Sequence, residues 1–208
     1  MTTTAVLFDL DDTLVVEEAS AEQAFLAACE LAREKYGIDP GALHQSVRRV
    51  ARSVWQAAPT IDYCRTIGIS SWEGLWARFL GDGPNLEALR AWAPDYRRQA
   101  WSGALEEHGV NDIPLAERLA EAFQHERRLR HVVFPDAETI LQELGRSYRL
   151  GLVTNGAPDL QREKIRGSRL AHYFGSITIS GEMGAGKPDP AIFEAALDSL
   201  GVTAEATV

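Results

Sequence analysis

"TAVLFDLDDTLV", residues 4–15, joins an apolar run to a cluster of acids. The run from Thr4 to Leu10 is rich in strand-forming residues, which predicts a strand covered on both faces. Acids follow at positions 9, 11 and 12. Because residues two apart in an extended chain point the same way, Asp9 and Asp11 are expected on one side. The stretch therefore predicts a buried strand that presents two carboxylates at its carboxyl end.

The rest of the chain shows two kinds of pattern. From Glu17 to about Val132 it is almost entirely helical, with breaks at Pro, Gly and Asn residues. After Pro135, helices alternate with two further strands, "YRLGLVTNG" at 148–156 and "SITISGE" at 176–182. We therefore predict a doubly wound, Rossmann-like α/β core with a parallel sheet, and an α-helical domain inserted into it. The predicted core comprises residues 1–16 and 132–208, and the predicted helical domain comprises residues 17–131.

Polar clusters follow all three predicted strands. They are "DLDDT" at 9–13, "TNG" at 154–156 and "GEMGAGKPDP" at 181–190. In such folds ligands bind at the carboxyl ends of the strands. Each cluster alone has an ordinary alternative, since acids often cap a following helix and Asn-Gly is a frequent turn. Three clusters at one edge of a sheet together favour a ligand site.

Lys187 completes the pattern G-x-x-x-x-G-K over residues 181–187, which is most of a nucleotide-binding P-loop. A P-loop continues with Ser or Thr, but Pro188 has neither a hydroxyl nor an N–H group. We therefore exclude a P-loop and interpret Lys187 as a cation placed just before a helix. It is one of three lysines beside eighteen arginines, and the sequence indicates no task for Lys35 or Lys164.

Three motifs, in this order, resemble the first three motifs of the haloacid dehalogenase-like hydrolase superfamily. They are "FDLDDTLV" at 8–15, "LVTNG" at 152–156 and "GKPDP" at 186–190. The inserted helical region matches the position and helical character of the C1 cap of that family. The resemblance implies a Mg²⁺-dependent phosphatase that acts on a small phosphorylated metabolite through an aspartyl-phosphate intermediate, beneath a cap that supplies specificity.

The resemblance also implies a role for each matching residue. Asp9 would attack phosphorus, and Asp11 would protonate the leaving alcohol and then activate water. Thr154 and the Asn155 amide would hold the transferring group, while Lys187 would offset its charge. The Asp9 carboxylate and the Asp11 backbone carbonyl would hold Mg²⁺. These roles agree with the chemistry, since phosphoryl transfer depends mainly on positioning and on neutralisation of charge.

Position 11 separates two activities within the superfamily. Phosphatases resemble this chain in having Asp two residues after the nucleophile, whereas dehalogenases need no acid for a halide leaving group. Asp11 therefore favours phosphoester hydrolysis. Two alternatives stay open: a 2-haloacid dehalogenase, and a non-catalytic phosphate-binding or interaction protein on the same fold. The substrate also stays open among sugar phosphates, phosphoglycolate-like acids and nucleoside monophosphates.

The fourth motif of the family, a strand ending in "GD" with a further acid, has no match before Val208. That strand lies beside the first strand in the family's sheet, and "ATV" at 206–208 is typical of a strand beginning. Without it the first strand would form an open sheet edge. We therefore expect the chain to be a fragment whose parent continues for about 30 residues or more, the size of another strand–helix unit. A molecule ending at Val208 would have little Mg²⁺-dependent turnover.

Bulk composition excludes several classes of function. A net charge of −9 disfavours nucleic-acid binding, which needs a basic surface. No apolar run approaches the roughly 18 residues of a membrane span, and the first residues do not form a secretory signal, so we expect a cytoplasmic protein with no membrane partner. Cys29 and Cys64 are expected to be reduced thiols. The oligomeric state is not indicated.

Two features of the helical region complete the expectations. Trp72 and Trp76 are four residues apart, which predicts one helix face, and this face is expected to pack in the domain core rather than wall a pocket. Basic runs at 48–54 and 126–130 are expected to form solvated helix faces.

Overall fold

The computed structural model describes residues 2–208 and contains a parallel sheet. Within this range the sheet has three strands in the order β1-β2-β3, with bounds Ala5–Phe8, Arg149–Thr154 and Ser176–Ile179. Ala5 pairs with Arg149, and Gly151 pairs with Ser176. The crossovers between parallel strands are helical, as parallel pairing requires. The predicted α/β class with a parallel sheet is confirmed.

Ten α-helices accompany the strands in the described residues. In chain order they are α1 Glu17–Tyr36, α2 Pro40–Trp55, α3 Ile61–Ile67, α4 Ser71–Gly74, α5 Pro84–Glu107, α6 Ile113–Arg128, α7 Ala137–Leu144, α8 Pro158–Ser168, α9 Ser180–Met183 and α10 Pro190–Leu200. None of these helices within residues 2–208 is both long and apolar enough to cross a membrane.

The chain divides into two compact units. The first unit holds the sheet and comprises the residues up to Glu17, Tyr63–Ile69 and His131–Val208. The second unit is helical and comprises Glu18–Asp62 and Ser70–Arg130. The segment Tyr63–Ile69, which covers most of α3, thus belongs to the unit that contains the sheet although it lies within the helical region of the sequence.

Apolar side chains cover both faces of the sheet in the first unit. Leu152 belongs to a cluster with Leu141 and Ile165, while the next residue, Val153, packs against Ile192 on α10. Successive residues of a strand point to opposite faces, so β2 is covered on both sides. Strand β1 is only partly covered, because its residues after Ala5 are half-buried.

The residues at 206–208 run parallel beside the beginning of β1, as predicted. Ala5 and Thr207 form a parallel bridge. The Leu7 amide donates to the Val208 carbonyl at 2.8 Å, and the Val208 amide donates to the Ala5 carbonyl at 3.2 Å. This pairing satisfies backbone groups of β1 that would otherwise lie at the sheet edge.

Aromatic residues form the core of the second unit. Trp55 lies 5.2 Å from Tyr96 between ring centroids, and Phe25 stacks on Phe123 at 4.0 Å. Trp76 is fully buried, as expected of a core residue. The predicted helix shared by Trp72 and Trp76 is wrong, because α4 ends at Gly74. Its capping box at Ser70 and Glu73 begins a helix that lasts one turn.

The basic run at 126–130 is not the solvated face that the sequence predicted. Arg127 is 1% exposed, and its guanidinium lies 4.8 Å from the centre of the Trp76 ring. Arg128 donates to the Trp76 backbone carbonyl at 2.6 Å. The planar guanidinium stacks on an aromatic face and donates in several directions, which explains how these charges are accommodated inside the unit.

Cys29 and Cys64 are both buried, and neither forms a disulfide within residues 2–208. Burial, and to a smaller extent the neighbouring Glu30 charge, raise the pKa of the Cys29 thiol to about 12. Cys29 is therefore a packing residue that stays protonated at neutral pH.

Candidate active site

Asp9 stands at the carboxyl end of β1 with one carboxylate oxygen fixed. Its Oδ1 accepts a hydrogen bond from the Leu10 amide at 2.7 Å and lies 2.6 Å from the Lys187 Nζ. The side chain is 44% exposed, and no residue among 2–208 donates a hydrogen bond to Oδ2. One oxygen is therefore anchored while the other is available to a ligand.

Lys187 is held in place by the residue that follows β2. The Asn155 Oδ1 accepts from the Lys187 amide at 2.8 Å, and the Asn155 Nδ2 donates to the Lys187 carbonyl at 3.0 Å. The Lys187 Nζ also donates to the Val153 carbonyl at 3.0 Å. These bonds fix both the backbone and the ammonium of Lys187. They place the cation beside Asp9 at the edge of the sheet.

Helix α10 begins at Pro190, three residues after this lysine. Asp189 is the N-cap, and its carboxylate accepts from the Ala191 amide at 2.9 Å. Pro190 occupies the first helical position, where proline is well tolerated. Lys187 thus belongs to the connection that leads into the helix and not to the helix itself.

Thr154 is the last residue of β2 and is buried at the carboxyl end of the strand. The residue is fully buried, and its hydroxyl lies 3.1 Å from the Gln161 Nε2. The Asn155 side chain makes its two hydrogen bonds with the Lys187 backbone. The role of Thr154 and of the Asn155 amide in holding a phosphoryl group stays a prediction.

Asp11 is held by two residues of α8. The Lys164 Nζ lies 3.1 Å from each oxygen of the Asp11 carboxylate, and the Gln161 Nε2 donates to Oδ2 at 2.8 Å. Lys164 is 1% exposed and Gln161 is fully buried. The Lys164 ammonium also lies 3.0 Å from the Glu17 Oε1. The Asp11 carboxylate is therefore held by two buried polar side chains.

Asp12, the third acid of the cluster, has a structural task. Its backbone φ is +52°, and its Oδ1 accepts from the Glu17 amide at 2.9 Å. A first-turn amide of α1 thereby gains an acceptor. The alternative that acids here cap the following helix is correct for Asp12.

Lys164 and Gln161 were not predicted as site residues from the sequence. The available signal was the buried face of α8, where the series Gln161, Lys164, Ile165 and Ser168 recurs at helical spacing. Two polar residues at core-facing positions require partners. Those partners are supplied by a loop far away in the sequence, so the spacing alone did not identify them.

A segment of the helical region also contributes to this edge. The Ser180 Oγ donates to the Ile67 carbonyl at 2.6 Å, and the Tyr63 hydroxyl donates to the Gly181 carbonyl at 3.3 Å. Burial raises the pKa of the Tyr63 phenol, so it stays a donor at neutral pH. A Cβ on Gly186 would lie 2.6 Å from the Thr66 carbonyl oxygen. The segment Tyr63–Ile69 therefore packs directly on the loop that carries Lys187.

The glycines of the apparent P-loop have packing roles. A Cβ on Gly181 would lie 2.6 Å from the Gly156 carbonyl oxygen, which leaves no room for a side chain. Gly184 has φ +76° and ends α9. The close packing at Gly181 and the helix end at Gly184 account for these two glycines without a phosphate-cradling loop.

Metal ligands are sparse in this part of the chain. Within residues 2–208, no group of three or more His, Cys, Asp or Glu residues is arranged to hold a metal ion. The predicted donors, the Asp9 carboxylate and the Asp11 carbonyl, are hard oxygens of the kind that Mg²⁺ prefers.

Known proteins resemble this chain in sequence and in fold. The sequence model of the haloacid dehalogenase-like hydrolase family matches residues 3–208. The phosphoserine phosphatase of Thermus thermophilus is 44% identical over 201 residues, which cover 96% of this chain and 77% of that protein. The N-acylneuraminate-9-phosphatase of Mus musculus is 28% identical over 200 residues, which cover 95% of this chain and 69% of that protein.

Solved structures share the fold. The magnesium-bound structure of YfnB from Bacillus subtilis has a TM-score of 0.55 at 22% identity and covers all of this chain and 77% of that one. The 2-haloacid dehalogenase from Pseudomonas syringae has a TM-score of 0.54 at 26% identity and covers 99% of this chain and 76% of that one.

Proposed function

This chain belongs to the haloacid dehalogenase-like hydrolase family, and within it we propose a Mg²⁺-dependent phosphatase acting on a small phosphorylated metabolite. The observation that carries the proposal is the environment of Asp9. One carboxylate oxygen is anchored by Lys187 and the Leu10 amide, and the other is available for attack. A carboxylate that is fixed on one oxygen and open on the other suits a nucleophile.

The chain's own residues divide the work of phosphoryl transfer. Asp9 attacks phosphorus through Oδ2 and forms an aspartyl-phosphate. Asp11 gives a proton to the departing alcohol and later takes one from the water that releases phosphate. Lys187 offsets the negative charge that gathers between Asp9 and the phosphoryl oxygens.

Mg²⁺ fits the donors that the site offers. This ion is usually bound by one or two carboxylates together with substrate phosphate oxygens and several waters. The half-exposed Asp9 carboxylate and the Asp11 carbonyl would hold it. When bound, it would neutralise charge on the transferring group.

Relatives indicate the chemical class of substrate. Their names specify phosphoserine, N-acylneuraminate 9-phosphate and glyceraldehyde 3-phosphate. All three are phosphate esters of a primary alcohol. We propose the same class for this chain, with O-phosphoserine as the first candidate because that relative is 44% identical over 96% of the chain.

A 2-haloacid dehalogenase is the second candidate, since such an enzyme shares the fold at 26% identity. In a dehalogenase reaction Asp9 would attack the carbon that bears the halogen, and Asp11 would have no role in the reaction. The elaborate support of Asp11 by Lys164 and Gln161 therefore favours the phosphatase.

A substrate panel tests the proposal. The complete protein is assayed for phosphate release from O-phospho-L-serine, N-acetylneuraminate 9-phosphate, glyceraldehyde 3-phosphate and p-nitrophenyl phosphate, with Mg²⁺ and with EDTA. Chloroacetate is assayed in parallel for halide release. We expect Mg²⁺-dependent phosphate release and no halide. Halide release without metal, or ester binding with no turnover of any ester, would overturn the proposal.

A further inference from the structure

We propose that Lys164 and Gln161 are positioning residues that hold the Asp11 carboxylate in the orientation needed for proton transfer to the leaving alcohol. The inference rests on the proposed phosphatase activity and deepens it. Neither residue touches the open oxygen of Asp9, so both act through Asp11. We call Lys164 and Gln161 the α8 pair.

Both residues of the α8 pair are buried. Lys164 is 1% exposed, and Gln161 is fully buried. An ammonium taken out of water is unfavourable unless it is paired, and long polar side chains lose rotamer freedom when they are fixed. The neighbouring core positions of α8 hold Leu160 and Ile165, so apolar residues are suited to this face. A polar pair at such positions points to a task beyond packing.

The Lys164 ammonium is held between two carboxylates, those of Asp11 and Glu17. Its Nζ is equidistant from the two Asp11 oxygens, at 3.1 Å from each. A second contact, at 3.0 Å to the Glu17 Oε1, holds the same ammonium from another side. Because the cation is fixed by two carboxylates, rotation of the Asp11 side chain would break contacts with a charge that cannot follow it. The Asp11 orientation is thereby restricted.

Gln161 ties Asp11 to the end of β2. Its Nε2 donates to the Asp11 Oδ2 at 2.8 Å, lies 3.1 Å from the Thr154 Oγ1 and contacts the Asn155 carbonyl oxygen. Asn155 is also the residue that clamps Lys187. The same strand end therefore sets the position of Asp11 and of Lys187, the two groups that must act together on one phosphoryl group.

The orientation of Asp11 matters most when the leaving group is a poor one. In the first step the bond between the Asp9 Oδ2 and phosphorus forms and the bond between phosphorus and the ester oxygen breaks. Asp11 enters this step protonated, gives its proton to that oxygen, and becomes the carboxylate that Lys164 and Gln161 hold. An alkyl alkoxide needs this proton, whereas p-nitrophenolate leaves readily without it. Loss of the α8 pair should therefore affect alkyl esters much more than p-nitrophenyl phosphate.

The test compares kcat/KM for two esters, because this constant reports the steps up to departure of the alcohol. The esters are p-nitrophenyl phosphate and whichever alkyl ester of the panel the wild-type complete protein hydrolyses fastest. The variants are Lys164→Met and Gln161→Met, which keep much of the side-chain volume. Lys35→Met, at a surface ion pair with Asp112, is the matched control.

For Lys164→Met we expect kcat/KM to fall on the order of 100-fold for the alkyl ester, which is a typical contribution of general-acid catalysis. For p-nitrophenyl phosphate the fall should be under about 5-fold, because that leaving group needs no acid. Gln161→Met should show the same selectivity with a smaller amplitude, and Lys35→Met should change neither constant. Equal losses for both esters would reduce the pair to a structural role, and unchanged or raised constants would likewise contradict the proposal.

A crystal structure of Lys164→Met supplies a readout that does not depend on turnover. We expect the Asp11 side chain in a different rotamer, with the contact between Asp9 and Lys187 retained. An unchanged Asp11 would overturn the proposal. If Lys164→Met does not fold, Gln161→Met carries both measurements. A wild-type protein that hydrolyses no ester would instead refute the proposed phosphatase, so the two failures are distinct.

Discussion

The Lys187 ammonium lies 2.6 Å from the Asp9 Oδ1, although the two residues are separated by most of the chain. Each stands beyond a strand at the same edge of the parallel sheet, Asp9 after β1 and Lys187 after β3. Asn155, after β2, joins them by holding the Lys187 backbone through two hydrogen bonds. The site is thus assembled from all three strand ends.

Replacement of Lys187 by Met should remove charge stabilisation from the transition state. We expect kcat to fall on the order of 100- to 1,000-fold, which is typical for loss of one pre-positioned donor. Steady-state phosphate release with Mg²⁺ present measures this. Lys35→Met is the control, since Lys35 lies on the surface at an ion pair with Asp112. A variant with near wild-type kcat would show that Lys187 has no part in the reaction.

Replacement of Asn155 by Ala should release the backbone of Lys187. Loss of its two hydrogen bonds is expected to lower the free energy of unfolding by about 1–2 kcal/mol. Activity should fall as well, because the ammonium is no longer fixed. Urea unfolding and kinetics on the same samples measure both effects, with the exposed Asn111→Ala as the control. Full activity together with wild-type stability would contradict the clamp.

Replacement of Gly186 by Ala should disturb the loop before α10. The added Cβ would lie 2.6 Å from the Thr66 carbonyl oxygen and 2.9 Å from the Asn155 Oδ1. We expect a loss of about 1–3 kcal/mol in the free energy of unfolding, the usual effect of overpacking. Gly41→Ala, in the first turn of α2, should cost less, because its Cβ would meet only a side-chain oxygen of Asp39, at 3.2 Å, and alanine favours the helix. Equal stability of the two variants would show that the loop has room to adjust.

Native Cys29 should be inert to thiol reagents. Burial raises its pKa to about 12, so at pH 8 the residue is almost entirely the unreactive thiol. We expect negligible labelling by iodoacetamide in the native protein and rapid labelling in urea. Mass spectrometry after tryptic digestion locates the label. Fast labelling of Cys29 under native conditions would show that α1 opens readily.

The sequence was sufficient to predict the elements whose residues follow a periodic pattern. The run before Asp9 predicted a strand, and the turn at Asn155 and the loop at Lys187 were expected at the same edge because parallel strands end there together. The beginning of a strand at 206–208 was also predicted beside β1, and a parallel bridge between Ala5 and Thr207 is observed there.

The support of Asp11 could not be predicted for a physical reason. A lysine on an amphipathic helix is normally solvated, and its burial depends on whether topology brings a carboxylate to it. Lys164 meets Asp11 only after the chain has crossed from β2 into α8. The same limit applies to Arg127, whose pairing with Trp76 requires two segments distant in sequence to pack together.

Trapping of the covalent intermediate decides whether Asp9 carries the phosphoryl group. The complete protein is mixed with Mg²⁺ and its best ester, quenched in acid and reduced with borohydride, which converts an aspartyl-phosphate to homoserine. Mass spectrometry then locates the altered residue. We predict homoserine at position 9 in the presence of substrate, none without substrate, and none in Asp9→Asn, with Asp95→Asn behaving as wild type. Turnover by the protein with no modification at position 9, or most activity retained in Asp9→Asn, would show that Asp9 is not the nucleophile.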